Sequence, residues 1–167
     1  MKSYHFATQL SRGRRYEEQL DAFFAQRLPV EIQPATDAEQ RQGIDRWFMA
    51  RTSAGDGRPR GRDAVEYKAD TVAGRTGNAF IETVSVDRGP DSPPKPGWAM
   101  TSQARYLVYL VAGQEEAIYL IPFRRLRLCL PRWGREYPTG AAPNEGYTTK
   151  GLLVPLHELE RIAIAVW

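Results

Sequence analysis

Two stretches, IDRWFMA at residues 44–50 and AVEYKA at residues 64–69, decide the predicted fold of this chain. Both are rich in residues that favour β-strands. Residues 51–63 between them contain three glycines and a proline, which predicts a long turn. The two stretches are therefore expected to be neighbouring antiparallel strands.

The flanking sequence extends this pair into a mixed α/β fold that begins with a helix. Apolar residues at helical spacing predict that first helix over residues 11–27, ended by Pro29. A further strand at 78–86 is expected to complete an antiparallel meander with 44–50 and 64–69. The other predicted elements are strands at 30–33, 106–111, 117–121 and 152–154, helices at 98–105, 123–130 and 156–163, and polar loops at 87–97 and 131–150. The prediction is a single domain over residues 1–167.

The composition is that of a globular chain and excludes several classes of protein. Of 167 residues, 42% are hydrophobic and 26% charged, which is ordinary globular usage. The longest apolar run, residues 106–112, is too short to span a membrane, and no apolar leader opens the sequence. Cys129 is the single cysteine, so no internal disulfide forms. We therefore expect a cytoplasmic protein without membrane contact.

Two carboxylates and a lysine are expected to converge on one face of the two central strands. Residues two apart in a strand share a face, so Glu66 and Lys68 point the same way, about 7 Å apart along the strand. The antiparallel pairing places Asp45 beside Glu66. Two adjacent carboxylates can hold Mg²⁺ or Mn²⁺, and an ammonium group beside them balances negative charge on a phosphate. The other interpretation of Glu66 and Lys68 is an ordinary solvated strand face.

The order of these residues resembles the PD-(D/E)xK nuclease superfamily, which includes restriction endonucleases, archaeal Holliday-junction resolvases and many phage nucleases. The matching motifs are Gly43-Ile44-Asp45 and Val65-Glu66-Tyr67-Lys68. Ile44 stands where many members have a proline. The resemblance covers about residues 11–122 and implies a restriction-endonuclease-like core: a helix first, then a central mixed sheet with an antiparallel meander, flanked by helices. Residues 123–167 would form a C-terminal extension.

The resemblance also assigns roles to residues by position. It implies that Mg²⁺ or Mn²⁺ is held by Asp45, Glu66 and the backbone carbonyl of Tyr67, and that Lys68 is the catalytic lysine. DNA is the implied substrate, with RNA not excluded, and a homodimer is allowed because resolvases and many restriction enzymes act as dimers.

A glutamate of the first helix is implied as an outer metal ligand. Gly13 lies four residues before Glu17, as in the resolvases, and Glu17 borders the apolar stripe through Leu20 and Phe24. Glu18 is the competing residue, because only the rotation of the helix separates the two. An exposed helix turn is the alternative for both.

Other residues are candidates for a supporting role. Glu82 lies between apolar neighbours on the strand at 78–86, where an unpaired carboxylate is costly, and Gln103 follows in the predicted helix at 98–105. Clustered arginines suit phosphate, because guanidinium presents a planar fork of donors. The candidate nucleic-acid contacts are Arg14, Arg15, Arg58, Arg60 and Arg62, and a further cluster stands at Arg124, Arg125 and Arg127.

These observations favour a Mg²⁺-dependent nuclease that hydrolyses DNA phosphodiester bonds. Two other interpretations stay open: a non-catalytic nucleic-acid-binding or assembly protein on the same fold, and a protein-interaction domain without a nucleic-acid partner. The net charge of +3 does not separate them.

Overall fold

The structure is a computed structural model that describes residues 6–51, 61–113 and 116–167, with side chains from residue 13 onward. Within these ranges the chain is a mixed α/β fold of two sheets and flanking helices. In order, the elements are α1 (Phe6–Arg27), β1 (Val30–Pro34), α2 (Asp37–Gln40), β2 (Arg46–Ala50), β3 (Arg62–Asp70), α3 (Ala73–Thr76), β4 (Asn78–Asp87), β5 (Lys95–Pro96), α4 (Trp98–Thr101), β6 (Tyr106–Val111), β7 (Ala117–Pro122), α5 (Phe123–Glu136), β8 (Thr139–Asn144), β9 (Tyr147–Pro155), α6 (Leu156–Ile162) and β10 (Ala165–Val166).

The main sheet has six strands in the order β1-β2-β3-β6-β7-β10. Strands β1, β2 and β3 form an antiparallel meander, β6 lies parallel to β3, and β7 and β10 follow in antiparallel pairs. Parallel neighbours need a crossover, and here the chain between β3 and β6 supplies it. The predicted mixed α/β class, with a helix first and a mixed central sheet, is confirmed.

The long helix α1 covers one face of this sheet. Its Leu20 and Phe24 are buried against Val65 of β3 and Val108 of β6. Each fully buried side chain of this size contributes about 1.5–3 kcal/mol relative to exposure. None of the helices in the described ranges combines the length and hydropathy of a membrane span.

The second sheet packs against the opposite face of the main sheet. Its strands follow the order β5-β4-β9-β8, all antiparallel. Ile81 of β4 and Val154 of β9 are fully buried in one cluster with Leu107 of β6 and with Trp133 of α5. The main sheet is therefore covered on both faces.

The predicted place of the strand at 78–86 is wrong. This segment is β4, which belongs to the second sheet, and the third strand of the meander is β1. The reason lies in Asp70, whose carboxylate accepts hydrogen bonds from the backbone N–H groups of Ala73 and Phe80. These bonds turn the chain away from β3, and β6 takes the free edge instead.

The polar loop predicted at 131–150 is also wrong. Helix α5 continues through Pro131 to Glu136, because Leu126 and Trp133 on its inner face are fully buried. A β-hairpin of β8 and β9 follows, closed by Glu145 and by Gly146 at φ 77°. A glycine at a two-residue turn is the local signal that would have revealed this hairpin.

A buried carboxylate ties the C-terminal helix α6 to α5. Glu158 accepts hydrogen bonds from Arg132, Arg161 and the indole N–H of Trp133, and it is only 2% exposed. The hydrogen bond from Arg132 is the main cause that lowers the pKa of Glu158 to about 2, well below its ordinary value.

Replacing Glu158 by glutamine should remove a pH-dependent part of the stability. Because the folded pKa is depressed, the ionised carboxylate stabilises the protein above pH about 4.5, and this contribution disappears as the pH falls toward about 2. In urea unfolding, the wild-type advantage over Glu158→Gln should therefore shrink between neutral pH and pH about 3. An advantage that stays constant over this range would contradict the account.

Candidate active site

Strand β3 divides its side chains between the two faces of the main sheet. Val65 and Tyr67 point toward α1, where both are buried. Glu66 and Lys68 point to the opposite face, beside Leu107 and Tyr109 of β6, because paired strand residues share a face. Glu66 and Lys68 therefore share a face of β3, as predicted, and this face packs toward the second sheet.

Asp45 lies at the entry to β2, next to Glu66. Its backbone N–H donates to the carbonyl of Val65 at 2.9 Å, at the end of the β2–β3 ladder. Its carboxylate oxygen Oδ2 accepts the N–H of Tyr67 at 2.8 Å. The N–H and C=O of one strand residue lie on the same edge, so the Tyr67 carbonyl also faces the side on which Asp45 lies.

Glu66 is a buried carboxylate with one paired and one unpaired oxygen. Lys68 Nζ lies 2.6 Å from Oε1 of Glu66, whose side chain is 3% exposed. The second oxygen, Oε2, is buried without a hydrogen-bond partner in the described residues. Burial raises the pKa of Glu66, although the charge of Lys68 opposes this. An orphaned buried acceptor is costly unless something supplies positive charge to it.

Lys68 holds its charge because carboxylates surround it. Burial alone would lower the pKa of Lys68, but Glu66, Asp45 and Glu82 outweigh burial and raise that pKa above its ordinary value. The side chain remains one-third exposed, with Nζ 5.9 Å from the centre of the Trp98 ring. The ion pair with Glu66 therefore holds Lys68 as a cation.

Glu82 reaches this cluster from the second sheet. The register of β4 against β9 shifts just after Glu82, and its Oε1 accepts the N–H of Trp98 at 3.2 Å. Bulges of this kind re-aim side chains next to functional sites. Burial raises the pKa of Glu82, against the lowering effect of the Trp98 N–H and of Lys68. The backbone at Gly97 passes very close to that of Glu82, because a Cβ on Gly97 would lie 2.5 Å from the Glu82 carbonyl oxygen.

Ser102 lies at the end of α4, next to Gly43 of the first motif. Helix α4 ends at Thr101, earlier than the predicted residue 105, and Ser102 is buried. Its hydroxyl donates to the carbonyl of Gly43 at 2.8 Å and accepts the N–H of Ala104. Gln103, the residue predicted to assist, is exposed, and its backbone N–H donates to Gln42. Sequence reasoning missed Ser102, since a serine beside a helix end is indistinguishable from a cap.

Gly43 of the first motif is held in a conformation and a space that suit only glycine. Its φ is 76°, and a Cβ there would lie 2.9 Å from the Cα, Cβ and Oγ atoms of Ser102. We expect Gly43→Ala to lose about 3 kcal/mol of unfolding free energy, from backbone strain plus the displaced Ser102 backbone. Urea unfolding measures this loss.

Gly77 provides the matched control for Gly43→Ala. It has φ 71°, but no atom lies within 4 Å of an added Cβ. Gly77→Ala should therefore lose only the strain, about 1 kcal/mol. Equal losses in the two variants would show that contact with Ser102 is unimportant.

The glutamates of α1 are not brought to this cluster. Glu17 accepts from Arg46 Nη2 at 2.9 Å, and Arg46 also binds Asp21 at 3.0 Å. Arg46 is paired with Val65 in the β2–β3 ladder and therefore lies on the α1 face, opposite Glu66. Glu18 is exposed.

Arg46 itself was missed by sequence reasoning. It is 8% exposed beneath α1, with its guanidinium 5.5 Å from the Tyr67 ring. The Tyr67 hydroxyl donates to Asp21, and burial together with Asp21 raises the Tyr67 pKa. The available signal was that Arg46 and Phe48 alternate with Asp45 and Trp47 and so share one face of the strand.

Three of the five predicted phosphate-binding arginines fall within the described residues, and all three are exposed. Arg62 stacks over the Trp47 ring at 4.2 Å and is exposed. Arg14 and Arg15 are exposed on α1. Arg58 and Arg60 lie outside the described residues.

The donors available for a metal are therefore few and of one chemical kind. Within the described residues, no three His, Cys, Asp or Glu side chains are grouped closely enough to hold an ion. What the cluster offers is the unpaired Oε2 of Glu66, the remaining oxygen of Asp45 and the Tyr67 carbonyl. All are hard oxygen donors, the type that Mg²⁺ prefers, and Mg²⁺ usually keeps several waters when one or two carboxylates bind it.

Comparison with known proteins gives no relative. No family model, curated protein or solved structure matches this chain.

Proposed function

We propose that this protein is a metal-dependent nuclease that hydrolyses phosphodiester bonds in DNA. The observation that carries the proposal is the convergence of Asp45, Glu66 and Lys68 on one face of β2 and β3, with a buried, unpaired Glu66 oxygen. Asp45 and Glu66 belong to the motifs that resemble the PD-(D/E)xK superfamily, and the spacing of those motifs puts their side chains together.

The order of elements supports the same proposal. A helix precedes a three-stranded antiparallel meander, and the chain then crosses over to a strand parallel to β3. A restriction-endonuclease-like core is part of the proposal, and a helix followed by a meander in a mixed sheet supports it. Asp45 lies just before β2 and Glu66 and Lys68 lie on β3, the second and third strands of that meander.

The oxygen donors fit Mg²⁺ or Mn²⁺ at this place. Lys68 pairs with Oε1 of Glu66, but Oε2 has no hydrogen-bond partner in the described residues, and a buried oxygen left in this way is unfavourable. A bound divalent cation would supply charge to the scissile phosphate and lower the pKa of a bound water. Asp45, Glu66 and the Tyr67 carbonyl would hold it.

Lys68 has the role of a charged donor in this site. As the cation that pairs with Glu66, it can hold a phosphate oxygen or orient the attacking water. In the hydrolysis, the water oxygen forms a new bond to phosphorus and gives up a proton to bulk solvent, while the bond from phosphorus to the leaving sugar oxygen breaks and that oxygen takes a proton from solvent. Lys68 stabilises the negative charge that grows on the phosphate during this exchange.

Incubation with plasmid DNA tests the proposal. Wild-type protein with Mg²⁺ or Mn²⁺ should convert supercoiled plasmid to nicked or linear forms, and excess chelator should stop the reaction. Asp45→Asn should lose cleavage by at least about 100-fold, because it removes a ligand charge. A parallel reaction with single-stranded and duplex RNA shows which nucleic acid is cut.

A non-catalytic nucleic-acid-binding protein on the same fold is the second candidate. The observation that favours it is the closed 2.6 Å ion pair between Lys68 and Glu66, which by itself is a stable structural contact. This candidate predicts DNA binding without cleavage in either metal. Cleavage that is unchanged in Asp45→Asn would contradict the proposed site.

A further inference from the structure

We propose that a groove between α5 and the segment 104–105 binds the phosphate backbone of the nucleic acid that enters the candidate site. The groove has a volume of about 460 Å³ and is lined by Ala104, Arg105, Phe123, Arg124, Arg127 and Leu128. The inference rests on the proposed function only in taking DNA as the partner.

The charged side chains that line the groove are all positive. Three arginines line it and no carboxylate does. Arg105 is paired with Asp63 at 2.6 Å outside the lining, whereas Arg124 forms no ion pair in the described part of the chain. Arg127 donates only to the carbonyls of Ala99 and Ser102, which leave its charge uncompensated. Uncompensated arginines in a groove attract a polyanion.

The arrangement of these side chains suits successive phosphates. Arg124 and Arg127 are three residues apart on α5, so they lie on the same side of the helix. The two carbonyl bonds and the Phe123 ring, 4.8 Å from its guanidinium, hold Arg127 in place. A guanidinium that is already fixed loses less side-chain freedom when it binds phosphate.

The groove adjoins the candidate active site through one residue. The carbonyl of Ser102 accepts from Arg127 on the groove side, while the hydroxyl of Ser102 bonds to Gly43 on the site side. The backbone N–H of Arg105 then donates to Ala64 of β3, two residues before Glu66. A nucleic-acid strand with one phosphate at Glu66 and Lys68 would therefore lie next to the groove.

Leu128 is the apolar part of this surface. It is 72% exposed, the largest exposure among the large hydrophobic side chains of the described residues. It lies four residues after Arg124 and therefore beside it on α5. A sugar–phosphate strand offers both charged and apolar atoms, and the groove presents both kinds of partner. Two of the α5 arginines that the candidate site did not use, Arg124 and Arg127, thus gain a proposed function.

Salt-dependent DNA binding tests the inference. Fluorescence anisotropy of a labelled duplex, measured in chelator so that no cleavage occurs, gives Kd at a series of salt concentrations. Arg124→Gln should weaken binding about five-fold at low salt and reduce the slope of log K against log salt by about one. Arg124 is exposed, so the thermal unfolding temperature should stay unchanged.

Arg75→Gln is the matched control, since Arg75 is an exposed arginine on α3 outside the groove. It removes the same charge and should change Kd by less than about two-fold. Equal losses in Arg124→Gln and Arg75→Gln would overturn the inference, as would a wild-type affinity that does not depend on salt. Full displacement of the duplex by poly-glutamate at equal charge would also overturn it, in favour of an acidic protein partner.

The outcomes separate this inference from the proposed function. If Arg124→Gln binds DNA more weakly and the wild-type protein cleaves no DNA in Mg²⁺ or Mn²⁺, the groove is supported as a DNA-binding surface and the proposed nuclease activity is contradicted. If cleavage needs Asp45 and Arg124→Gln binds DNA as tightly as the wild type, the nuclease activity is supported and the binding role of the groove is contradicted.

Discussion

Lys68→Met is expected to lower the rate of DNA cleavage by about 100- to 1000-fold, which is the usual effect of removing one charged group that stabilises a transition state. The ammonium of Lys68 lies 2.6 Å from Glu66, and the carboxylates around it raise its pKa, so it is present as a cation. Methionine keeps the apolar stem and removes only the charge. Single-turnover cleavage of a labelled duplex in Mg²⁺ measures the loss.

The loss should fall on the chemical step and not on metal binding. Lys68→Met leaves Glu66 buried without its counter-charge, which destabilises the metal-free protein. Added Mn²⁺ should therefore raise the unfolding temperature of Lys68→Met more than that of the wild type. Lys68→Arg keeps the charge and serves as the control, with an intermediate rate. Cleavage by Lys68→Met at more than about one-third of the wild-type rate would contradict the assigned role.

Arg46→Met is expected to lower the unfolding free energy by about 2–3 kcal/mol. Arg46 is buried beneath α1 and binds both Glu17 and Asp21, so its removal leaves two carboxylates side by side. Breaking a buried ion pair in this way costs about 3–5 kcal/mol, and the partial exposure of the two carboxylates reduces that figure. Urea unfolding at neutral pH measures the change.

Arg105→Met is the matched control for stability, because its pair with Asp63 is largely exposed and should contribute less than about 1 kcal/mol. Equal losses of unfolding free energy in the two variants would show that the ion pairs of Arg46 beneath α1 stabilise the fold no more than an exposed ion pair does.

Glu17→Gln changes the partner of Arg46 on helix α1. It should retain cleavage within about three-fold of the wild type, since Glu17 lies on the face opposite Glu66. A loss comparable to that of Asp45→Asn would assign Glu17 to the metal site.

The central strands could be predicted from the sequence because their signals are local. Alternation in AVEYKA places Glu66 and Lys68 on one face, and the pairing of the two strands then brings Asp45 beside Glu66. Each step depends on residues adjacent in the sequence or on one turn. The mixed α/β class followed from the same patterns, and the structure confirms it.

The parts that could not be predicted depend on contacts between distant segments. Assignment of β4 to the second sheet follows from Asp70, which binds the backbone at Phe80, and from β6, which occupies the edge of β3. The burial of Arg46 depends on which side of the sheet α1 covers. Neither the sheet to which β4 belongs nor the face that α1 covers can be predicted from the spacing of residues.

The continuation of α5 shows the same limit at a single residue. Proline usually ends a helix, yet α5 passes through Pro131 because Trp133 beyond it is fully buried. Trp133 is buried in a cluster that includes Val154 of β9 and Leu159 of α6, elements that follow later in the chain. Tertiary packing therefore outweighs the local preference.

Titration of the protein with Mn²⁺ by isothermal calorimetry probes the proposed metal site itself and needs no assumption about the substrate. The account predicts one site per chain, with affinity weakened at least about ten-fold in Asp45→Asn and unchanged in Glu17→Gln. Absence of Mn²⁺ binding, or equal binding by the wild type and Asp45→Asn, would contradict it.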